Sequence, residues 1–175
     1  MSLESRIIDG AENMMKKRGS TPFVECKVEK GWAFIAGDTL VYLVEVEEEV
    51  LCKINNETVQ YIIFLLQTNK LKNAVVLYDT IAPMAAEIIK MHQIYNIVLF
   101  HYKTVLYDPT VHEKVPLHQL MSSEEVSAEL PKIELHNLPR ISQNDPIVRF
   151  YNWPVGRVVR ISRKTGPYYR IITED

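Results

Sequence analysis

The sequence predicts an α+β protein of two domains, residues 1–107 and 108–175. Three observations support this prediction. Roughly the first hundred residues alternate helical and strand-like hydrophobic patterns, which is typical of an α/β domain with a small mixed sheet. The segment Tyr107-Asp108-Pro109-Thr110 is polar and contains a proline, as inter-domain boundaries do. The residues after it predict a smaller α+β domain with a short mixed sheet and a hairpin.

The N-terminal segment predicts one helix followed by three strands. The helix runs over Leu3 to Arg18, with Ser2 or Ser5 as its cap and Gly19 at its end. Gly37-Asp38 favours a hairpin turn between the second and third strands. The predicted strands are Phe23 to Val28, Gly31 to Ala36 and Leu40 to Val46.

The rest of the first domain alternates two helices with two strands. A helix capped by Asn55 or Asn56 reaches about Asn69, and another covers Met84 to His92 with Pro83 in its first turn. Wholly apolar strands follow each helix, a pattern typical of strands buried on both faces. This order predicts that two of the strands are parallel. The two strands are Ala74 to Tyr78 and Asn96 to Phe100.

The second domain predicts two short helices and a hairpin. The first helix spans Ser123 to Leu130, with Ser122 or Ser123 as its cap, and ends at Pro131. Asp145 and Pro146 fit the cap and first position of the second helix, since Asp accepts from free N–H groups and Pro needs none. The turns and the hairpin strands are Trp153-Pro154-Val155-Gly156, Val158 to Arg163, Thr165-Gly166-Pro167 and Tyr168 to Ile172.

Charge is unevenly distributed along a nearly neutral chain. The net charge is −2 over 175 residues, which argues against a free-standing protein that binds many phosphates. The stretch from Pro139 to Ile172, however, contains seven basic residues and a single acidic residue, Asp145. The acids are densest at Glu45, Glu47, Glu48 and Glu49, where we expect a solvated loop.

No motif for catalysis, metal binding or membrane insertion stands out. Cys26 and Cys52 lie far apart and predict reduced thiols in a soluble, intracellular protein without a signal peptide. His112 and His118, near Glu113, are not accompanied by the HExxH or Cys-x-x-Cys motif that is typical of a zinc site. We therefore expect no catalytic residue, no cofactor and no metal, although Asp79 at a strand end leaves a small enzyme as one remaining interpretation.

The C-terminal motifs resemble a known family. In order and near-correct spacing they match the C-terminal assembly domain of the fifth common subunit of eukaryotic nuclear RNA polymerases, a family that includes an archaeal counterpart. The loop between the last two strands is shorter here, at Lys164 to Pro167. The matching residues are Val115-Pro116, His118, Ser122 to Glu125, Leu138 to Ile141, Asp145-Pro146, Gly156, Val158, Ile161, Arg163 and Tyr169-Arg170.

The resemblance implies a non-catalytic polymerase subunit located in the nucleus, or in the cytoplasm or virion if a large DNA virus encodes it. The C-terminal domain would dock on the largest subunit and contact other polymerase subunits, with arginines paired to partner acids and carbonyls. It implies neither a membrane nor a small-molecule substrate. The expected interface residues are Leu138, Pro139, Arg140, Ile141, Asp145, Pro146, Arg149, Arg157, Arg163, Tyr169 and Arg170.

The first domain resembles the family's N-terminal jaw more loosely. In the family, an apolar strand leads into a Thr-Pro-Ser-Ala turn near downstream double-stranded DNA, and Ala82-Pro83-Met84-Ala85 occupies that place here, with Thr80 nearby. Backbone N–H groups at the helix start would then contact phosphate. The alternative is a stand-alone module that binds single-stranded nucleic acid through the basic, aromatic hairpin, with Tyr151, Trp153, Tyr168 and Tyr169 as stacking residues.

Overall fold

The structure is a computed structural model that describes residues 2–44, 53–131 and 134–174. It contains helices and mixed sheets, so the predicted α+β class is confirmed. The chain divides into two compact units, Met1–Tyr107 and Asp108–Asp175. Among the described residues, no helix combines the length and apolar character needed to cross a bilayer.

The first unit is built on a five-stranded mixed sheet of order β1-β2-β3-β5-β7. Strands β1, β2 and β3 pair antiparallel, whereas β3, β5 and β7 are parallel, as the alternation of helices and strands predicted. The strands are β1 (Phe23–Cys26), β2 (Trp32–Ala36), β3 (Thr39–Leu43), β4 (Lys53–Ile54), β5 (Asn73–Tyr78), β6 (Thr80–Ile81) and β7 (Asn96–His101). The helices are α1 (Leu3–Lys17), α2 (Asn56–Thr68), α3 (Pro83–Met91) and α4 (Tyr102–Leu106).

The caps that the sequence left open are now assigned. The Ser2 hydroxyl accepts from the Ser5 N–H (3.2 Å), and the Asn55 amide oxygen accepts from the Thr58 N–H (2.8 Å). These bonds satisfy first-turn donors of α1 and α2, which would otherwise lack partners.

Helix α4 was not predicted, and it explains a glycine in α1. A Cβ atom on Gly10 would lie 2.3 Å from the Val105 carbonyl oxygen. Only a residue without a side chain therefore lets the two helices approach this closely.

Two strands end earlier than predicted. Strand β1 ends at Cys26 rather than Val28, because the chain leaves the sheet there and the Glu29 N–H donates to the Tyr61 hydroxyl (2.9 Å) on α2. Strand β3 ends at Leu43, and the predicted end at Val46 lies outside the described residues. The acidic run Glu45, Glu47, Glu48 and Glu49, together with Cys52, also lies outside them.

The second unit contains a four-stranded sheet of order β8-β10-β11-β9. The predicted hairpin is present as β10 and β11, and β9 joins β11 in parallel. Strands β8 and β9 were not predicted as strands. The elements are β8 (Leu117–Leu120), α5 (Ser123–Glu129), β9 (Arg140–Ser142), α6 (Pro146–Tyr151), β10 (Val158–Arg163) and β11 (Gly166–Thr173).

Both faces of this sheet are covered. One face carries a cluster formed by Ile141, Val148, Val159, Ile161 and Ile172, against which Leu120 and Trp153 pack. The other face carries Met121, Leu130, Leu138 and Val158, with Val126 of α5 packed against them. Because successive strand residues point to opposite faces, each strand of the hairpin contributes to both clusters.

Candidate subunit interface

The helix α6 begins as the sequence predicted. The Asp145 carboxylate accepts from the Ile147 N–H (2.9 Å) and the Val148 N–H (3.4 Å), and Pro146 occupies the first turn. The helix ends at Asn152, whose φ of 55° is left-handed. Asp145 therefore has a role inside its own domain, whatever it contacts in an assembly.

Two further residues of the expected interface lie inside the domain. Leu138 is 7% exposed and Ile141 is 8% exposed, each in a core cluster on its own face of the sheet. They hold the segment around Pro139 and Arg140 in place, and those two side chains are exposed. The motif Leu138-Pro139-Arg140-Ile141 thus combines buried ends with an exposed centre.

Two arginines of the second unit donate hydrogen bonds to backbone carbonyl oxygens. Arg157 donates to the Met121 carbonyl oxygen (2.8 Å) and Arg170 donates to the Arg140 carbonyl oxygen (2.9 Å). Both guanidinium groups thus tie together segments that are distant in sequence. Arg149 is half-buried on α6.

Arg160 has the densest set of partners. Its guanidinium bonds to the carboxylate of Glu129, lies 3.8 Å from the Glu125 carboxylate and donates to the Gln119 side chain (3.1 Å). The Tyr169 hydroxyl donates to the second Glu129 oxygen (2.7 Å), and this bond, together with partial burial, raises the pKa of Tyr169 above its usual value. We call these five residues the Arg160 cluster; it fixes α5 to the sheet.

Helix α5 is further fixed by its cap. The Ser122 hydroxyl accepts from the Glu125 N–H (3.2 Å), while the Glu125 carboxylate accepts from the Ser122 N–H (2.7 Å). This reciprocal capping box assigns the cap, which the sequence left between Ser122 and Ser123, to Ser122, and it places Glu125 toward Arg160.

Arg163 differs from Arg160 although both lie on β10. It is exposed, points to the opposite face and lies over the ring of Tyr168, 5.0 Å from the ring centre. Arg140 and Arg163 pair with residues of β11 that are five positions apart, Ile171 and Gly166. Their positions are therefore separated by about 16 Å along the strand direction, so the two arginines offer two separate points of contact.

The aromatic residues named as a stacking platform are mostly engaged with each other. The rings of Tyr151 and Trp153 are stacked at 4.7 Å and nearly parallel, and Tyr169 belongs to the Arg160 cluster. Tyr168 is exposed, and the Arg163 guanidinium lies over its ring.

Asp79 has a histidine partner that the sequence did not reveal. His101 Nε2 lies 3.1 Å from the Asp79 carboxylate, and His101 Nδ1 accepts from the Lys103 N–H (3.2 Å). Register places the two residues together, since Tyr78 pairs with His101 across parallel strands. Both ring nitrogens are used within the protein, which disfavours His101 as a general base for a substrate.

His112 and His118 also bond to nearby backbone. His112 Nδ1 accepts from the Lys114 N–H (3.2 Å), and His118 Nδ1 lies 2.7 Å from the Pro116 carbonyl oxygen. Among residues 2–44, 53–131 and 134–174, no three His, Cys, Asp or Glu side chains are grouped to hold a metal ion.

The start of α3 lies beside the start of α2. Strand β6 pairs with β4, so that Ile81 faces Ile54 and both helices begin at one cleft of about 480 Å³. Ala82 provides no side-chain cap for α3, and Pro83 has no N–H. The first-turn donors that remain belong to Met84 and Ala85. Glu57 of α2 also lines the cleft, and Thr80 is exposed in β6.

A family model and several known proteins match this chain. The model described as RNA polymerase Rpb5, C-terminal domain, matches residues 107–173. The archaeal DNA-directed RNA polymerase subunit Rpo5 of Methanosarcina mazei is 40% identical over 70 residues, which are 36% of this chain and 90% of that protein.

Eukaryotic relatives match a longer stretch. The DNA-directed RNA polymerases I, II, and III subunit RPABC1 of Caenorhabditis elegans is 32% identical over 125 residues, 69% of this chain and 59% of that protein. The DNA-directed RNA polymerase V subunit 5A of Arabidopsis thaliana is 29% identical over 131 residues, 72% of this chain and 52% of that protein. The chain thus spans somewhat more than half the length of these eukaryotic relatives.

Proposed function

The chain belongs to the RNA polymerase Rpb5 family, and from that premise we propose that it is a non-catalytic structural subunit of a nuclear DNA-directed RNA polymerase. The observation that carries this proposal is the family match over residues 107–173, which is nearly the whole second unit of the chain. Chemistry would then reside in other subunits, and this chain would contribute binding surface.

The second unit is the part that we assign to docking on the largest subunit. Its exposed residues from the expected interface are Pro139, Arg140, Pro146, Arg157 and Arg163, of which Arg157 donates to the Met121 carbonyl oxygen within the unit. Arginines whose guanidinium groups reach outward form charge-assisted bonds to carboxylates and carbonyls of a partner. Leu138, Ile141 and Asp145 support this surface from within, through their burial and hydrogen bonds.

Charge reversal at Arg140 and Arg163 tests the docking surface. Each charge-assisted bond contributes about 1.5–3 kcal/mol, so Arg140→Glu with Arg163→Glu should reduce incorporation into polymerase by at least tenfold. Circular dichroism should remain unchanged, because neither side chain belongs to a core cluster. Incorporation is measured by co-purification with the other subunits after co-expression.

The matched control is Arg6→Glu, since Arg6 is exposed on α1 in the other unit. Its incorporation should equal that of the unmodified chain. If the double variant assembles as well as this control, the second unit does not dock through Arg140 and Arg163.

The first unit is the part that we assign to the DNA side of the enzyme. The uncapped start of α3 offers the N–H group of the exposed Met84, whereas Ala85 is buried, and a helix N-terminus favours anionic phosphate. The acids of this unit, including Glu57 at the same cleft, keep the contact weak. DNA affinity would therefore come from the assembled enzyme.

A carboxylate at the start of α3 tests this assignment. Met84→Glu should weaken downstream DNA binding by the assembled polymerase several-fold, because the new charge repels phosphate while it stabilises the first turn of the helix. Met91→Glu is the control, since Met84 and Met91 are 62% and 80% exposed at opposite ends of α3. Equal DNA affinity of the two variant enzymes would contradict the assignment.

A further inference from the structure

The sheet of the second unit ends on two strands, β8 and β9, and these two edges differ. A strand edge presents a row of N–H and C=O groups that another strand can join, unless it is blocked. The hydrogen bonds of the two outer ladders show which backbone groups point outward at each edge.

The β9 edge has both of its outward carbonyl groups occupied. The Ile171 N–H donates to Pro139 and the Gln143 N–H donates to Thr173, so the alternate residues Arg140 and Ser142 direct their backbone groups away from β11. The Arg140 carbonyl oxygen accepts from the Arg170 guanidinium (2.9 Å), and the Ser142 carbonyl oxygen accepts from the Asp145 N–H (3.0 Å). Pro139 adds a residue without an N–H just before the strand.

The β8 edge is open. The Met121 N–H donates to the Val158 carbonyl oxygen (2.9 Å), which makes these two a hydrogen-bonded pair of the antiparallel ladder. Bonded and non-bonded pairs alternate in such a ladder. Gln119 therefore faces β10, whereas the N–H and C=O groups of His118 and Leu120 point away from the sheet. No other strand of the described chain joins β8.

The side chains of β8 suit an apolar neighbour. Leu117 is 60% exposed on one face of the sheet. Leu120 lies half-buried on the other face and packs with Trp153 against the first core cluster. A strand beside β8 with apolar residues at the positions next to Leu117 and Leu120 would cover the first leucine and extend the cluster under the second.

We propose that β8 receives an extended segment of another polymerase subunit as a fifth strand. The inference rests on the proposed function and adds the mode of binding. Two donors and two acceptors in alternation match the backbone of an extended strand, which is the β-augmentation mode of recognition. The partner segment is extended and apolar at the positions beside Leu117 and Leu120. Arg140 lies on the far strand β9, whereas Arg163 directly follows Ser162, the partner of Leu117.

Amide hydrogen exchange tests the proposal without any substitution. In the isolated full chain, the outward amides of His118 and Leu120 should exchange at least tenfold faster than the ladder amide of Gln119. In the assembled polymerase, all three should be protected. Exchange of His118 and Leu120 that stays fast after assembly would overturn the proposal.

A proline substitution tests the same edge by assembly. His118→Pro removes an N–H that points outward and leaves the ladder bonds to β10 intact, as proline on an edge strand allows. It should lower incorporation at least tenfold, whereas the control His118→Ala, which keeps the N–H, should incorporate normally. Trp153 fluorescence checks folding, and if His118→Pro does not fold, the exchange measurement decides.

The outcomes separate this inference from the proposed function. If the unmodified chain does not assemble with polymerase subunits, the proposed function fails. If it assembles while His118→Pro assembles equally well, strand addition alone fails. A dimer of the isolated chain in sedimentation, with His118 and Leu120 protected, would assign the edge to a second copy and overturn the partner named here.

Discussion

Replacing Arg160 should destabilise the second unit far more than replacing Arg163. Both arginines lie on β10, and Arg160→Met and Arg163→Met remove the same charge while keeping an unbranched chain of similar length. The Arg160 side chain is 26% exposed and has carboxylate partners on α5, whereas Arg163 is exposed and lies over Tyr168. The two substitutions thus separate the internal arginine from the external one.

The expected difference follows from the partners. Bonds to charged groups contribute about 1.5–3 kcal/mol when shielded and exposed ion pairs about 0.2–1 kcal/mol. We therefore expect Arg160→Met to lower the free energy of unfolding by about 2 kcal/mol, part of which reflects Glu129 left without its partner. An exposed cation–π contact contributes about 0.5 kcal/mol, so Arg163→Met should change stability by no more than that.

Trp153 provides the assay. The chain has two tryptophans, and Trp32 lies in the first unit, so a Trp32→Phe background makes fluorescence report the second unit alone. With a urea slope of about 1 kcal/mol/M for a small domain, Arg160→Met should move the midpoint down by roughly 2 M. Equal midpoints for the two variants would refute the assignment of Arg160 to the fold.

Two further predictions concern packing and ionisation. Gly10→Ala should destabilise the first unit by about 1–2 kcal/mol in urea melts followed by Trp32, because the clash with the Val105 carbonyl exceeds the gain of about 1 kcal/mol in helix propensity; an unchanged or higher midpoint would contradict the close approach. The pKa of Tyr169 should lie above the usual tyrosine value in an ultraviolet titration, since its bond to Glu129 favours the neutral phenol. The stabilisation linked to this raised pKa is present below pH 10 and is lost as the pH rises through the folded-state value; comparison with Tyr169→Phe should identify one transition above the usual tyrosine range that the variant lacks, and a titration that is unchanged there would contradict the assignment.

Local signals in the sequence predicted local structure well. Asp145 with Pro146, and Ser122 with Glu125, define helix starts through bonds to residues two or three positions away. The apolar run Ala74 to Tyr78 predicted a buried parallel strand, because its neighbours also show strand patterns. These features depend on spacing within one element.

Pairing over long distances could not be predicted in the same way. Strand β9 has three residues and pairs with β11, which lies far along the chain, so its own pattern is too short to indicate a strand. Arg160 and Arg163 are equally basic in sequence, and only the face of β10 on which α5 packs distinguishes them. Gly10 required the unpredicted helix α4 to explain it.

The difference between the two edges of the second sheet limits how far surplus copies of the chain can grow. Amyloid-like fibrils lengthen because every added strand presents a fresh edge to the next. Here the Arg170 and Asp145 bonds occupy the outward carbonyl groups of β9, so strand addition at β8 does not leave an equivalent edge on the far side of the sheet. Surplus copies of the chain would therefore not lengthen into a fibre through this sheet before the rest of the enzyme is made.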